Sequence, residues 1–206
     1  MMKDIVLAGS SGFAREIMWL IERINAEERQ WNFLGFINND SSDAFGDDEF
    51  LQHYDKELYV GIAVGNTGIR RHLYEQYREN KNLVFPPLVD PKAIVSDRVS
   101  MGMGSIICAG TIITVDVKIG DFTIINLDCT AGHGAEIGSF VTVNPGVNIS
   151  GDVVVGNMVN IGTGSQILQG ISIGDKTVIG AGAVVNRNMP GRCTAVGVPA
   201  KVIKRV

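Results

Sequence analysis

An imidazole is the side chain best suited to take up and release a proton near neutral pH, and this chain has three: His53, His72 and His133. His53 lies in an acidic stretch and His72 follows Arg70-Arg71 on a segment that reads as an exposed helix, so both read as surface residues. His133 differs. It stands between Gly132 and Gly134, two residues after Ala131, and such small neighbours remove bulk around the ring and favour an open cleft. The three cysteines, Cys108, Cys129 and Cys193, are scattered without a CxxC pair, which fits a reducing compartment better than a disulfide framework. Gly9-Ser10-Ser11-Gly12 falls between a strand pattern and a helix pattern, where backbone N–H groups and the helix dipole suit a phosphate. A purely structural glycine turn is the alternative reading of the same residues. The turn is not G-x-G-x-x-G, so nicotinamide chemistry is not expected.

What must position His133 is a repeat. Stepping by six from Val95 gives Met101, Ile107, Ile113, Ile119, Ile125, Ala131, Ile137, Val143, Ile149, Val155, Ile161, Ile167, Ile173, Ile179 and Val185; fourteen of these sixteen pivots are Ile or Val. Glycine often follows the pivot, as at Gly120, Gly132, Gly138, Gly156, Gly162, Gly174 and Gly180, and a small or β-branched residue precedes it by two. A helix has no period of six, and a plain strand has period two. Period six means short strands joined by tight turns, three to a triangular coil of eighteen residues. Pivots fill the prism, and the glycines tolerate turn conformations or close backbone approach. We read residues 91–206 as a left-handed parallel β-helix with a C-terminal tail. Cys129, two residues before a pivot, reads as a small core residue, and Cys108, just after one, as a turn residue.

Residues 1–90 alternate strand and helix patterns: strands over 4–8, 33–37, 58–64 and 83–89, and helices over 14–24 and from an Asn66-Thr67 cap to about residue 79. Residues 38–48 read as a loop. This predicts a small parallel α/β domain, Rossmann-like in plan. A net charge of -4 and the lack of a dense Lys/Arg block argue against a nucleic-acid binder. No apolar run approaches a membrane span, and the N-terminal apolar stretch is too short for a secretory signal, so a cytoplasmic location is expected.

Taken together, Ile5-Val6-Leu7-Ala8-Gly9-Ser10-Ser11-Gly12, Gly35-Phe36-Ile37-Asn38-Asn39-Asp40, Ala63-Val64-Gly65-Asn66, the hexads with Gly180-Ala181-Gly182-Ala183-Val184-Val185, and the tail Val196-Gly197-Val198-Pro199-Ala200-Lys201 carry a resemblance over nearly the whole chain. They resemble the sugar O-acyltransferase family, the group of sialic acid O-acetyltransferases and nucleotide-activated amino-sugar N-acetyltransferases. The resemblance implies an acetyl-CoA-dependent acetyltransferase acting on a sugar, homotrimeric, with each active site between neighbours. It implies His133 as the catalytic base and Gly151, one coil on, as the N–H donor to the thioester carbonyl. It implies Thr142, Thr163 and Ala181 along the CoA thiol arm, with Lys201, Lys204 and Arg205 either meeting CoA phosphates or forming a solvated tail. Ser11, Gly12, Phe13, Asn39, Asp40 and Gly65 would line the acceptor site. Relatives commonly carry an acid directly after the histidine, where this chain has Gly134. Asp116 and Asp152 lie eighteen residues to either side of Gly134 and so stack over it, which makes either a candidate for that carboxylate.

Two other enzyme classes fit less well. A prism-borne zinc site of three histidines is not expected from one prism histidine, and no metal is expected. The N-terminal third is too short for the usual domain of a sugar-1-phosphate nucleotidyltransferase. The remaining alternative is a non-catalytic trimer that binds sugar nucleotides or scaffolds partners.

Overall fold

The computed structural model describes residues 2–38 and 44–205. Strand β1 (Lys3–Ala8) leads into helix α1 (Gly12–Glu27), β2 (Trp31–Ile37), the short helix α2 (Asp48–Gln52), β3 (Leu58–Ile62), α3 (Thr67–Tyr77) and β4 (Leu83–Val84). The four strands form one parallel sheet in the order β2-β1-β3-β4. Ile5, Val6, Leu7 and Ala8 of β1 are all buried, as a central parallel strand covered on both faces requires. Asn66 caps α3 by accepting from the Ile69 amide at 3.0 Å. Asp47 caps α2 in the same way through the Phe50 amide at 2.7 Å.

The strand expected over 83–89 is two separate pieces. Leu83–Val84 joins the α/β sheet on β3, whereas Leu88–Val89 pairs with Ile106–Ile107 and opens the first coil of the prism. Pro86 and Pro87 lie between them, and proline cannot donate to a ladder.

From Leu88 the chain winds as two-residue parallel strands on three faces. The first face stacks Leu88–Val89, Ile106–Ile107, Ile124–Ile125, Thr142–Val143, Asn160–Ile161 and Val178–Ile179, then the tail strands Cys193–Val196 and Lys201–Arg205. The second face carries Thr130–Ala131 and Asn148–Ile149, and the third carries Lys118–Ile119 and Glu136–Ile137. The pivots from Ile107 to Val185 are buried, as are the residues two before them, such as Thr111, Thr123 and Cys129. The two glycine roles separate cleanly. Left-handed backbone falls three residues after the pivot, at Asp116 (φ 60°), Gly134 (φ 67°) and Asp152 (φ 57°) among others. The glycine directly after the pivot serves close approach instead: a Cβ on Gly132 would lie 2.7 Å from the Gly151 nitrogen, one coil on.

The α/β domain sits on the first face. There the outward-pointing Leu88, Ile106 and Ile124 are buried against Ile5, Leu7, Ile17 and Ile21. Each buried isoleucine contributes about 1.5–3 kcal/mol. Higher on the same face, beyond the domain, Val178 is exposed.

Candidate active site

His133 sits on the prism corner between the second and third faces, opposite the face that carries the α/β domain. Its side chain is 59% exposed. The ring lies over Gly151: a Cβ there would stand 2.5 Å from both Cε1 and Nε2. Only glycine leaves room for the imidazole in this pose. The other ring nitrogen, Nδ1, faces Asp152 Oδ1 at 3.7 Å. The backbone fixes this pair, because the Asp152 amide donates to the His133 carbonyl at 2.8 Å.

The Gly151 N–H has no partner among the described residues. On the corner between the third and first faces, the equivalent amides of Met103, Asp121, Ser139 and Asn157 are each taken by the side chain one coil on, at 3.1, 3.1, 2.8 and 2.8 Å. Among the described residues the His133 corner has no such ladder, so the Gly151 donor remains on the Nε2 side of the ring for a developing negative charge.

Asp116 and Asp152 behave differently. Arg98 holds Asp116 in a forked pair, Nε to Oδ1 at 3.0 Å and Nη2 to Oδ2 at 2.8 Å. Asp152 turns toward His133, and its Oδ2 accepts from Gln169 Nε2 at 3.3 Å.

Thr142, expected along the CoA arm, is elsewhere. It is 3% exposed in the seam between domains, where its hydroxyl donates to the Gly65 carbonyl at 2.7 Å and accepts from Arg70 at 3.0 Å. Arg70, read from sequence as part of an exposed helix, is fully buried. It donates to the carbonyls of Phe122 (2.8 Å), Val64 (2.6 Å), Gly65 (3.1 Å) and Val141 (3.0 Å). Burial away from water pulls its pKa down to about 9. Thr163 and Ala181 are exposed on the corner between the first and second faces, and Lys201 is exposed on the last strand.

Ser11, Gly12 and Phe13 open α1 at the carboxyl edge of the sheet, the usual ligand crevice of parallel α/β sheets. Gly9 bends there with φ 110°, and a Cβ on it would lie 3.1 Å from Ala63 O and from Val64 Cγ2, which brings the Gly9–Gly12 turn beside the Gly65 loop. Gly65 faces open space among the described residues: a Cβ there would meet none of their atoms within 4 Å. Asn39 and Asp40 lie outside the described residues. His53 and His72 are exposed. Cys108, Cys129 and Cys193 are free and buried; burial pushes Cys108 to about 12 and Cys129 to about 11, so neither is a thiolate nucleophile at neutral pH. No group of three metal-ligating side chains occurs among the described residues, and no helix there is long and apolar enough to cross a membrane.

Residues 4–77 match the PglD N-terminal domain, and residues 152–187 match the bacterial transferase hexapeptide (six repeats) family. Among solved structures, the chain is similar to PerB from Caulobacter crescentus in complex with CoA and GDP-perosamine, at 29% identity over 99% of each chain and a TM-score of 0.90. That enzyme, a perosamine N-acetyltransferase, was also solved with one histidine replaced by asparagine or alanine. The acetyltransferase domain of PglB from Neisseria gonorrhoeae FA1090, in complex with acetyl coenzyme A, is 26% identical over 98% of this chain and 100% of that one, with a TM-score of 0.89. WeeI from Acinetobacter baumannii AYE is 27% identical over 98% and 100%, with a TM-score of 0.85. The chain is an acyltransferase of the hexapeptide-repeat architecture. No curated protein matches this acyltransferase in sequence. Its left-handed β-helix and α/β domain are those read from the hexads and the alternating N-terminal elements.

Proposed function

We propose that this acyltransferase moves the acetyl group of acetyl-CoA onto a sugar, with an amino group on a nucleotide-linked sugar as the first acceptor to test. The observation that carries the reading is the seating of the His133 ring on Gly151, whose N–H is unpartnered among the described residues. His133 takes the proton from the acceptor nitrogen or oxygen as that atom attacks the thioester carbonyl. The Gly151 N–H stabilises the tetrahedral oxyanion. The carbon–sulfur bond then breaks, and the CoA sulfur leaves with the proton held on His133. Transfer is direct, since the buried cysteines offer no thiolate to carry the acetyl group.

Thr163, Ala181 and Lys201 are assigned to CoA, and Ser11, Gly12, Phe13 and Gly65 to the acceptor. Within one chain the acceptor cradle and His133 lie on opposite sides of the prism. A complete site therefore takes its cradle from one chain and its histidine from another, which a cyclic homotrimer provides. Acetyl-CoA and sugar nucleotides are cytoplasmic compounds, so the enzyme is assigned to the cytoplasm, in the synthesis of a surface polysaccharide or glycoconjugate.

The test is CoA release from acetyl-CoA over amino-sugar nucleotides, including GDP-perosamine, free and CMP-linked sialic acid, and simple hexoses. Turnover with one acceptor, reduced by at least ~10²-fold in His133→Ala, is expected. Acceptor binding without CoA release from any of them points instead to a non-catalytic binding protein.

A further inference from the structure

We propose that Asp152, reaching across from the next coil into the space that Gly134 leaves empty, is the positioning residue that fixes His133 as the Nδ1–H tautomer and so makes Nε2 the working base. This rests on His133 being the base.

Three relationships lead there. Gly134 follows His133 at a left-handed turn position, and a Cβ on it would stand 2.5 Å from Asp152 Oδ1. The carboxylate thus occupies the volume that a side chain at 134 would fill. Its Oδ1 faces Nδ1 at 3.7 Å, while Nε2 lies on the Gly151 side of the ring. A carboxylate beside one nitrogen favours the proton there and leaves the other nitrogen's lone pair free. Here the freed lone pair is on the nitrogen next to the unpartnered Gly151 N–H, where attack and oxyanion formation must meet. Catalytic contacts are often long in free enzymes and tighten when the site fills. Finally, Gln169 Nε2 donates to Oδ2 of the same carboxylate at 3.3 Å and limits its rotation. Asp116, the other carboxylate of this corner, is held by Arg98 and takes no part.

The geometry makes the carboxylate portable. Asp116 and Asp152 already adopt left-handed backbone at their own turns, so aspartate is tolerated at Gly134 once the Asp152 side chain is gone. The experiment is ¹⁵N-edited NMR of the histidine rings in the full-length protein, at mildly alkaline pH where imidazole is neutral. Wild type is expected to show His133 as Nδ1–H, Asp152→Gly as the Nε2–H form that free imidazole side chains prefer, and the double variant Gly134→Asp/Asp152→Gly as Nδ1–H again. Gln169→Ala is expected to show a mixture. CoA release with the acceptor should follow the tautomer through the series. An unchanged wild-type tautomer in Asp152→Gly overturns the proposal. Because the readout needs no turnover, that failure is distinct from an active His133→Ala, which would instead remove the base.

Discussion

Arg70 Nη2 donates to the hydroxyl of Thr142 at 3.0 Å, across the seam between the α/β domain and the prism. The same guanidinium holds carbonyls on both sides, at Val64 and Gly65 on one and Phe122 and Val141 on the other. Arg70→Met takes the donor from the Val64 and Phe122 carbonyls, while Val141 keeps the Ile124 amide and Gly65 keeps the Thr142 hydroxyl, at a cost of about 3 kcal/mol or more. Arg70→Lys is expected to be nearly as harmful, since one ammonium cannot span a planar fork of acceptors. Thr142→Val should cost about 1 kcal/mol by denaturant unfolding and leave acetyl-CoA affinity unchanged. A selective loss of CoA binding in Thr142→Val would return Thr142 to the CoA arm.

Two glycines of the prism separate catalysis from packing. Gly151→Ala puts a methyl group 2.5 Å from ring atoms of His133, a side chain that is free to swing outward. The expected result is a large fall in turnover with little change in Tm. Gly162→Ala meets backbone instead, 2.4 Å from the Ala181 nitrogen, and no rotamer relieves that contact. It is expected to destabilise by about 1–3 kcal/mol. Thermal melts and CoA release on the two variants check both halves.

The prism was legible because each coil repeats one rule: a buried aliphatic pivot, a small residue two before it, and a turn that tolerates left-handed backbone. His133 stood out against that regularity. Arg70 did not, because its burial comes from the prism face laid over α3, and a helix sequence carries no mark of a contact made by residues 122–142. Thr142 misled for the same reason: its place in the coil was correct, yet its face of the prism is the one the α/β domain covers. Helix α2 was hidden by acidic residues that read as loop, although Asp47 is the cap and Leu51 the buried anchor. The stacking of Asp152 near His133 followed from the eighteen-residue repeat, but Arg98, which pairs with Asp116, reads as an ordinary surface charge.

The buried thiols give an alkaline signature. Free cysteine titrates near 9, whereas burial raises Cys129 to about 11 and Cys108 to about 12. The folded chain therefore keeps protons that the unfolded chain has lost. Stability from this source is complete below pH 9 and falls as pH rises through 9 toward 12. Tm measured across that window should decline, and Cys108→Ala should flatten the decline. Iodoacetamide at neutral pH is expected to leave Cys108 and Cys129 unmodified in the folded protein and to label both in denaturant.

A site divided between chains can be tested by complementation. Gly65→Trp fills the open side of the acceptor cradle, where no described residue lies within 4 Å, and should abolish turnover while His133 stays intact. His133→Ala abolishes it while the cradle stays intact. If one chain's cradle serves another chain's histidine, trimers reassembled from an equal mixture contain about one site in four with both parts sound. CoA release should then reappear at roughly that fraction of wild type, from two preparations that are each inactive. If cradle and histidine of the same chain worked together, every site would carry a defect, and mixing would restore nothing.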